Sequence, residues 1–218
     1  PYTTLFRSSV PRSIADPATT NAVNINGFLN MLIATRDAGI KRFVYASSSS
    51  VYGDSPELPK VEERTGKVLS PYAVTKLVNE EYARVFGSIY GMETLGLRYF
   101  NVFGRRQDPG GPYAAVIPKF TQAFMKYESP VINGDGSNSR DFTYIDNVLL
   151  ANNLAATVEN PAAFNQVYNV ACGDSVNLNE MTGLLRGFLA AYDPKIAIVE
   201  PAHGQNRQGD IQIGRAHV

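Results

Sequence analysis

Helical and strand periodicities alternate along this chain, and that alternation leaves few folds open to it. Pro17 to Ala38 carries Val23, Ile25, Phe28, Leu29, Leu32 and Ile33 at helical spacing. Asp16 stands where a cap is needed, Pro17 suits a first turn and Gly39 suits an end. Lys41 to Ala46 follows as a short apolar run, which reads as a buried strand. The pattern then repeats. Pro71 to Ile89 is a helix with Ser70 before it and Gly91 after it, and Thr94 to Tyr99 is a strand. Strands and helices in this rhythm predict a parallel sheet covered on both faces.

The rhythm changes near Asn101. Arg105 to Pro112 is a polar loop rich in Gly and Pro. Beyond it the spacing predicts a helix over Ala114–Tyr127, a short strand at Val131–Ile132 and a turn over Asn133–Gly136. A strand follows at Arg140–Tyr144, then a helix over Ile145–Glu159 capped by Asp146 or a neighbour. Val167–Val170 reads as a strand, and Leu178–Tyr192 as a helix begun by Asn177 or Asn179. Lys195–Val199 reads as a last strand. This half reads as a smaller lobe laid on the sheet, without an internal repeat.

Composition narrows the function. The chain has 218 residues, 44% of them hydrophobic, which suffices for one core or somewhat more. Its 20 basic and 20 acidic residues balance, which argues against a nucleic-acid or membrane-surface partner. No apolar run nears the ~20 residues of a membrane span. The single cysteine, Cys172, excludes an intramolecular disulfide and fits a reducing, cytoplasmic setting. It follows a strand in Asn169-Val-Ala-Cys and reads as a buried structural thiol. His203 and His217, with one cysteine, do not make a metal site. Residues 1–8 and 212–218 resemble in-frame translations of sequencing-adapter DNA, so the natural segment is expected to be a fragment.

The chemistry gathers at one stretch. Four serines, Ser47 to Ser50, follow the apolar run Phe43–Ala46, and Tyr72-x-x-x-Lys76 opens the next helix. One turn separates Tyr72 from Lys76, so phenol and ammonium share a face. A nearby cation favours the phenolate and suits Tyr72 to proton transfer. Alone, such a pair occurs on many surface helices. The serines change the odds, because a parallel sheet gathers its sites at the carboxyl ends of its strands.

These residues resemble the extended short-chain dehydrogenase/reductases, the NAD-dependent epimerase/dehydratase family, and within it the UDP-N-acetylglucosamine 4-epimerases. The resemblance rests on Ser9-Val-Pro-Arg-Ser13, Ser47-Ser-Ser-Ser-Val-Tyr-Gly53, Leu69-Ser-Pro-Tyr-Ala-Val-Thr-Lys76 and Leu97-Arg-Tyr-Phe-Asn-Val-Phe-Gly-Arg105. It continues through Ala114-Ala-Val-Ile-Pro118, Asn133-Gly-Asp-Gly136, Ser139-Arg-Asp-Phe-Thr-Tyr-Ile-Asp146 and Arg207-Gln-Gly-Asp210. It implies an α/β fold: a truncated Rossmann-type parallel sheet with a smaller α/β substrate lobe. Residues 9–104 would belong to the NAD-binding domain and 105–211 mainly to the nucleotide-sugar lobe.

The resemblance also implies roles. Ser48, Tyr72 and Lys76 would be catalytic, with Tyr72 acting on the sugar 4-hydroxyl. Asn24, Ala46, Ser47 and Tyr99 would join Tyr72 and Lys76 around NAD. Ser48, Ser49, Tyr72, Asn101, Gln107, Ala115, Val116, Arg140, Arg207 and Asp210 would meet the UDP-sugar. Arginine suits the diphosphate because its fork pairs two oxygens. A homodimer through helices 17–38 and 71–90 is implied as well.

No G-x-x-G-x-x-G occurs in the chain. By resemblance, about 80–100 residues of the cofactor half, including that turn, are expected to precede Ser9. The expected activity of the parent is UDP-GlcNAc/UDP-GalNAc 4-epimerisation through a 4-keto sugar. A 4,6-dehydratase or decarboxylase is the runner-up, but those enzymes carry an acid beside the catalytic hydroxyl where this chain has Ser49 and Ser50. A third reading is an inactive fragment without the cofactor cradle.

Overall fold

The computed structural model describes residues 9–110 and 115–205. Expectations for Arg207, Asp210 and both adapter-like tails lie outside the described residues. The described residues open with α1 (Val10–Ala15) and α2 (Pro17–Asn21), capped by Ser9 and Asp16. A π turn at Ala22–Asn26 joins α2 to α3 (Gly27–Asp37), so the predicted helix is present but underwound at its centre. Next come β1 (Arg42–Ser48), a 3₁₀ turn at Ser49–Tyr52, α4 (Pro71–Tyr90) and β2 (Glu93–Tyr99). The second half contributes β3 (Asn101–Phe103), α5 (Val116–Met125), β4 (Val131–Asn133), β5 (Ser139–Arg140), β6 (Phe142–Tyr144) and α6 (Ile145–Thr157). It ends with β7 (Gln166–Val170), β8 (Val176–Asn177), α7 (Leu178–Tyr192) and β9 (Ala202–Gly204).

The main sheet is parallel, in the order β1-β2-β7. Its pleat sorts side chains to two faces. Tyr45 joins Phe28, Leu32, Ala83 and Phe86 on the face covered by α3 and α4. Leu95, Leu97 and Val170 pack with Val148 and Ala155 on the face covered by α6. Helices on both faces of a parallel sheet make this a Rossmann-like α/β fold. A third cluster, Phe120, Ile132, Leu178 and Met181, ties α5, β4 and α7 into the second half.

Several predicted details change. The expected strand at Lys195–Val199 is a 3₁₀ helix over Pro194–Ile198. Asp193 caps it through the Lys195 amide, and Ile196 turns inward against Phe124 while Ile198 stays exposed. Among the described residues the last strand is instead β9, parallel to β4. The expected strand Arg140–Tyr144 is broken at Asp141. β5 pairs antiparallel with β8, whereas β6 pairs parallel with β3. Asn177 caps α7 by accepting from the Glu180 amide. Asp146 does not cap α6. The cap position falls on Tyr144, and Asp146 lies in the first turn, where a carboxylate favours the helix dipole. Cys172 is exposed, not buried, because the chain leaves β7 in a turn before reaching it.

Candidate active site

The N-terminus of α4 is set by its sequence. The Ser70 hydroxyl accepts from the Ala73 amide at 3.2 Å, and Pro71 occupies the first turn. Tyr72, Lys76 and Glu80 then recur at one-turn intervals on a single face. That face lies against the end of β1. Lys76 Nζ donates to the Ala46 carbonyl at 2.8 Å, and the Ser47 hydroxyl donates to Glu80 Oε1. The Lys76 ammonium sits 5.9 Å from the centre of the Tyr72 ring.

Both Tyr72 and Lys76 are buried. Burial pushes the Lys76 ammonium down to about 8 from its ordinary 10.5, and the Glu80 charge opposes that shift. Lys76 therefore carries its charge at neutral pH but holds it loosely.

The serines close the other side. Ser48 ends β1, and its hydroxyl accepts from the Ser50 amide at 3.2 Å, capping the turn. Ser49 and Ser50 are buried, and Ser50 Oγ has no hydrogen-bond partner among the described residues. The turn ends at Gly53, whose φ is +52°. A methyl group there would overlap the Lys67 carbonyl. Gly53→Ala is therefore expected to cost roughly 1–3 kcal/mol, read as a lower Tm.

Asn24 is buried in the π turn, and its amide donates to Thr75 Oγ1 at 3.0 Å. Thr75 in turn donates to the Tyr72 carbonyl at 2.7 Å. The underwound turn thus bonds the first turns of α4, and π bulges are frequent at functional sites. Tyr99 is the register partner of Ser48, and its hydroxyl donates to Asn152 on α6 at 3.0 Å.

A cavity of about 390 Å³ lies beyond the strand ends. Asn101, Ala115, Val116 and Arg140 all line it, with Phe120 and Phe142. Asn101 donates from Nδ2 to the Asp141 carbonyl at 3.1 Å, and Arg140 donates to the Ser139 carbonyl at 2.9 Å. Gln107 is not in that cavity. It lines a separate one of about 380 Å³ with Arg106, Thr121 and Tyr144. The Ser47 hydroxyl is turned to Glu80.

Glu80 and Arg98 escape the sequence reading. They form a buried ion pair, with Arg98 Nε and Nη2 on the two carboxylate oxygens at 2.9 and 2.8 Å. The available signal was a carboxylate one turn after Lys76; its strand partner has no local signature. Among the described residues no group of three or more His, Cys, Asp or Glu is placed to hold a metal, and no helix is long and apolar enough to cross a membrane.

A Rossmann-like sheet thus carries Tyr72 and Lys76 on α4, with Lys76 bonded to the serine-ended strand β1. Residues 3–171 match the model of the NAD dependent epimerase/dehydratase family, and the chain belongs to that family. The match reaches into the first eight residues. UDP-glucose 4-epimerase of Mycolicibacterium smegmatis is 34% identical over 208 residues, covering 95% of this chain and 63% of that protein. Among solved structures, UDP-N-acetylglucosamine 4-epimerase from Methanobrevibacter ruminantium, in complex with UDP-N-acetylmuramic acid, superposes with a TM-score of 0.89. It is 40% identical, over 98% of this chain and 66% of that one. UDP-glucose 4-epimerase of Thermotoga maritima gives a TM-score of 0.88 at 33% identity, over 97% of this chain and 66% of that one. The chain thus spans just under two thirds of the length of these relatives.

Proposed function

We propose that this chain carries the acid/base centre and much of the nucleotide-sugar lobe of an NAD-dependent UDP-sugar 4-epimerase. UDP-GlcNAc and UDP-GalNAc are the proposed pair. The observation that carries the reading is the Lys76–Ala46 bond, which ties the helix face shared by Tyr72 and Lys76 to β1 two residues before Ser48. The 40% identity with the methanogen epimerase supports the sugar. In this reading residues 9–104 serve the cofactor domain and 105–211 the sugar lobe.

The residues present fit the nicotinamide-ribose end of NAD, because a buried ammonium bonded to the end of β1 lies 5.9 Å from the centre of a buried phenol ring. Tyr72 removes the proton from the sugar 4-hydroxyl and later returns it. Lys76 stabilises the phenolate, and Ser48 and Ser49 orient the hydroxyl by hydrogen bonding. NAD, when bound, would supply the acceptor for the hydride of carbon 4 and the donor that returns it to the other face of the 4-keto sugar. Asn101 and Arg140 hold the diphosphate, and the backbone at Ala115 and Val116 holds the uracil. Arg207 and Asp210 are proposed for the phosphate and ribose. The turn over Ser48–Ser50 brings no carboxylate, which disfavours dehydration. Helices 17–38 and 71–90, which expose Met31, Val74 and Ile89, are the proposed homodimer face.

Incubating the whole protein with UDP-GlcNAc should yield UDP-GalNAc, read by chromatography. Turnover of UDP-glucose alone would move the sugar assignment, and turnover of neither would sink the reading.

The pH dependence has opposite signs for rate and stability. Lys76 titrates near 8 when folded and near 10.5 ordinarily. The unfolded chain therefore binds more protons between those values, and stability should rise with pH across that window. Below pH 8 the penalty for the buried charge is fully present. The epimerisation rate should instead fall as pH passes about 8, because Tyr72 loses its cation. Denaturant midpoints and pH–rate profiles measure the two.

A further inference from the structure

We infer that the buried Glu80–Arg98 pair is a positioning device that fixes the serine turn after β1 against the face of α4 carrying Tyr72 and Lys76. The inference deepens the active-site reading above and rests on it. Glu80 and Arg98 are each under a tenth exposed. Two buried charges are a poor source of stability, since apolar residues of similar volume commonly do as well. Their use lies in direction, and the bonds around them show which parts they align.

One carboxylate collects the strand and the turn. Glu80 accepts from Ser47, the last residue but one of β1. It also holds Arg98 through two bonds. Arg98 Nη1 then donates to the Tyr52 hydroxyl at 3.1 Å and to the Glu62 carbonyl at 2.9 Å. Tyr52, the last residue of the 3₁₀ turn, donates onward to Asn169 Oδ1 at 2.7 Å. The Asn169 amide returns to Glu62 Oε1 at 2.7 Å. Ser48 and Ser49 therefore lie between two anchors, Ser47 and Tyr52, and both anchors end on Glu80. Lys76, one turn before Glu80, is anchored on Ala46 in the same strand. Moving the serines relative to Tyr72 requires breaking a buried, charge-assisted hydrogen bond, and such bonds are the strong ones.

The site therefore needs Glu80 for geometry although Glu80 touches no reacting atom. Its removal should leave nucleotide-sugar binding in place, because the cavity lined by Asn101, Val116 and Arg140 does not include it. It should misplace the serines, and misplacement of about 1 Å can cost about 100-fold in rate.

The test uses the double variant Glu80→Gln/Arg98→Met, which removes both charges together and leaves neither buried alone. In the whole protein kcat should fall about 10–100-fold while KM for the UDP-sugar stays within about threefold. Tyr52→Phe, which deletes one hydroxyl and keeps the ion pair, should lower kcat in the same direction by less. Hydrogen exchange supplies a readout independent of turnover. The Ser50 and Gly53 amides, bonded to Ser48 Oγ and the Ser50 carbonyl, should exchange about tenfold faster in the double variant, with the interior of α4 still protected. Unchanged exchange, or faster exchange with unchanged kcat, would overturn the inference. If the unsubstituted protein turns over no UDP-sugar, the functional reading fails and the exchange rates alone decide the positioning role. Should the double variant not fold, Tyr52→Phe carries the same two outcomes.

Discussion

Tyr72→Phe in the whole protein is expected to lower UDP-sugar turnover by about 10²–10⁴-fold, the range spanned by a single positioned acid/base group. The substitution deletes one oxygen and leaves the ring, so the packing of this buried side chain survives. The cap of α4 is untouched, since it runs from Ser70 to the Ala73 amide. Lys76 keeps its bond to Ala46, and Thr75 keeps its bond to the residue-72 carbonyl. Loss of the one hydroxyl should therefore cost stability no more than about 0.5–1.5 kcal/mol. Affinity for the UDP-sugar, measured by calorimetry, should hold, because the proposed nucleotide cavity is lined by other residues. A phenylalanine protein with full turnover would remove Tyr72 from the chemistry.

What the sequence disclosed follows from the range of each interaction. α4 was legible at both ends because its signals are local: Ser70 and Pro71 at the start, and Gly91 in the left-handed region at φ +66° after its end. The Tyr72–Lys76 face was legible because helical spacing alone makes it. Lys195–Val199 was misread because its alternation of apolar and other residues mimics a strand. The stronger local signal was Asp193-Pro194, which caps and starts a 3₁₀ turn. Asn101, Ala115, Val116 and Arg140 come together around one cavity, whereas the loop that carries Gln107 faces α5 and Tyr144. Arg98 was out of reach. A charged residue inside a central strand is tolerable only with a partner, and that partner sits on a helix facing the sheet. Asp141 was hidden for the same reason, inside what reads as one continuous strand.

Asp141 carries the second large effect. It is 1% exposed, and its two carboxylate oxygens accept from the Cys172 and Gly173 amides at 2.9 Å each. Its own carbonyl accepts from the Asn101 amide at 3.2 Å and from Asn101 Nδ2 at 3.1 Å. One residue thus joins the turn after β7 to the start of β3, and β3 leads to the proposed diphosphate site. Asp141→Ala removes both carboxylate bonds and leaves two backbone donors without their acceptor. Hydrogen bonds to charged groups contribute about 1.5–3 kcal/mol each, so a loss of about 3–4 kcal/mol is expected after relief of the buried charge. Chemical denaturation measures it. Asp141→Asn keeps one acceptor oxygen and should lose about half as much. The order of the two variants separates the acceptor role from simple side-chain volume, because asparagine and aspartate are nearly isosteric. Equal losses in both would mean that the charge itself, and not the pair of bonds, holds the turn. Losses below about 1 kcal/mol in both would mean that the turn at Cys172 is held by other contacts. Asn101 bonds the Asp141 backbone and not its carboxylate, so UDP-sugar affinity should fall much less than stability.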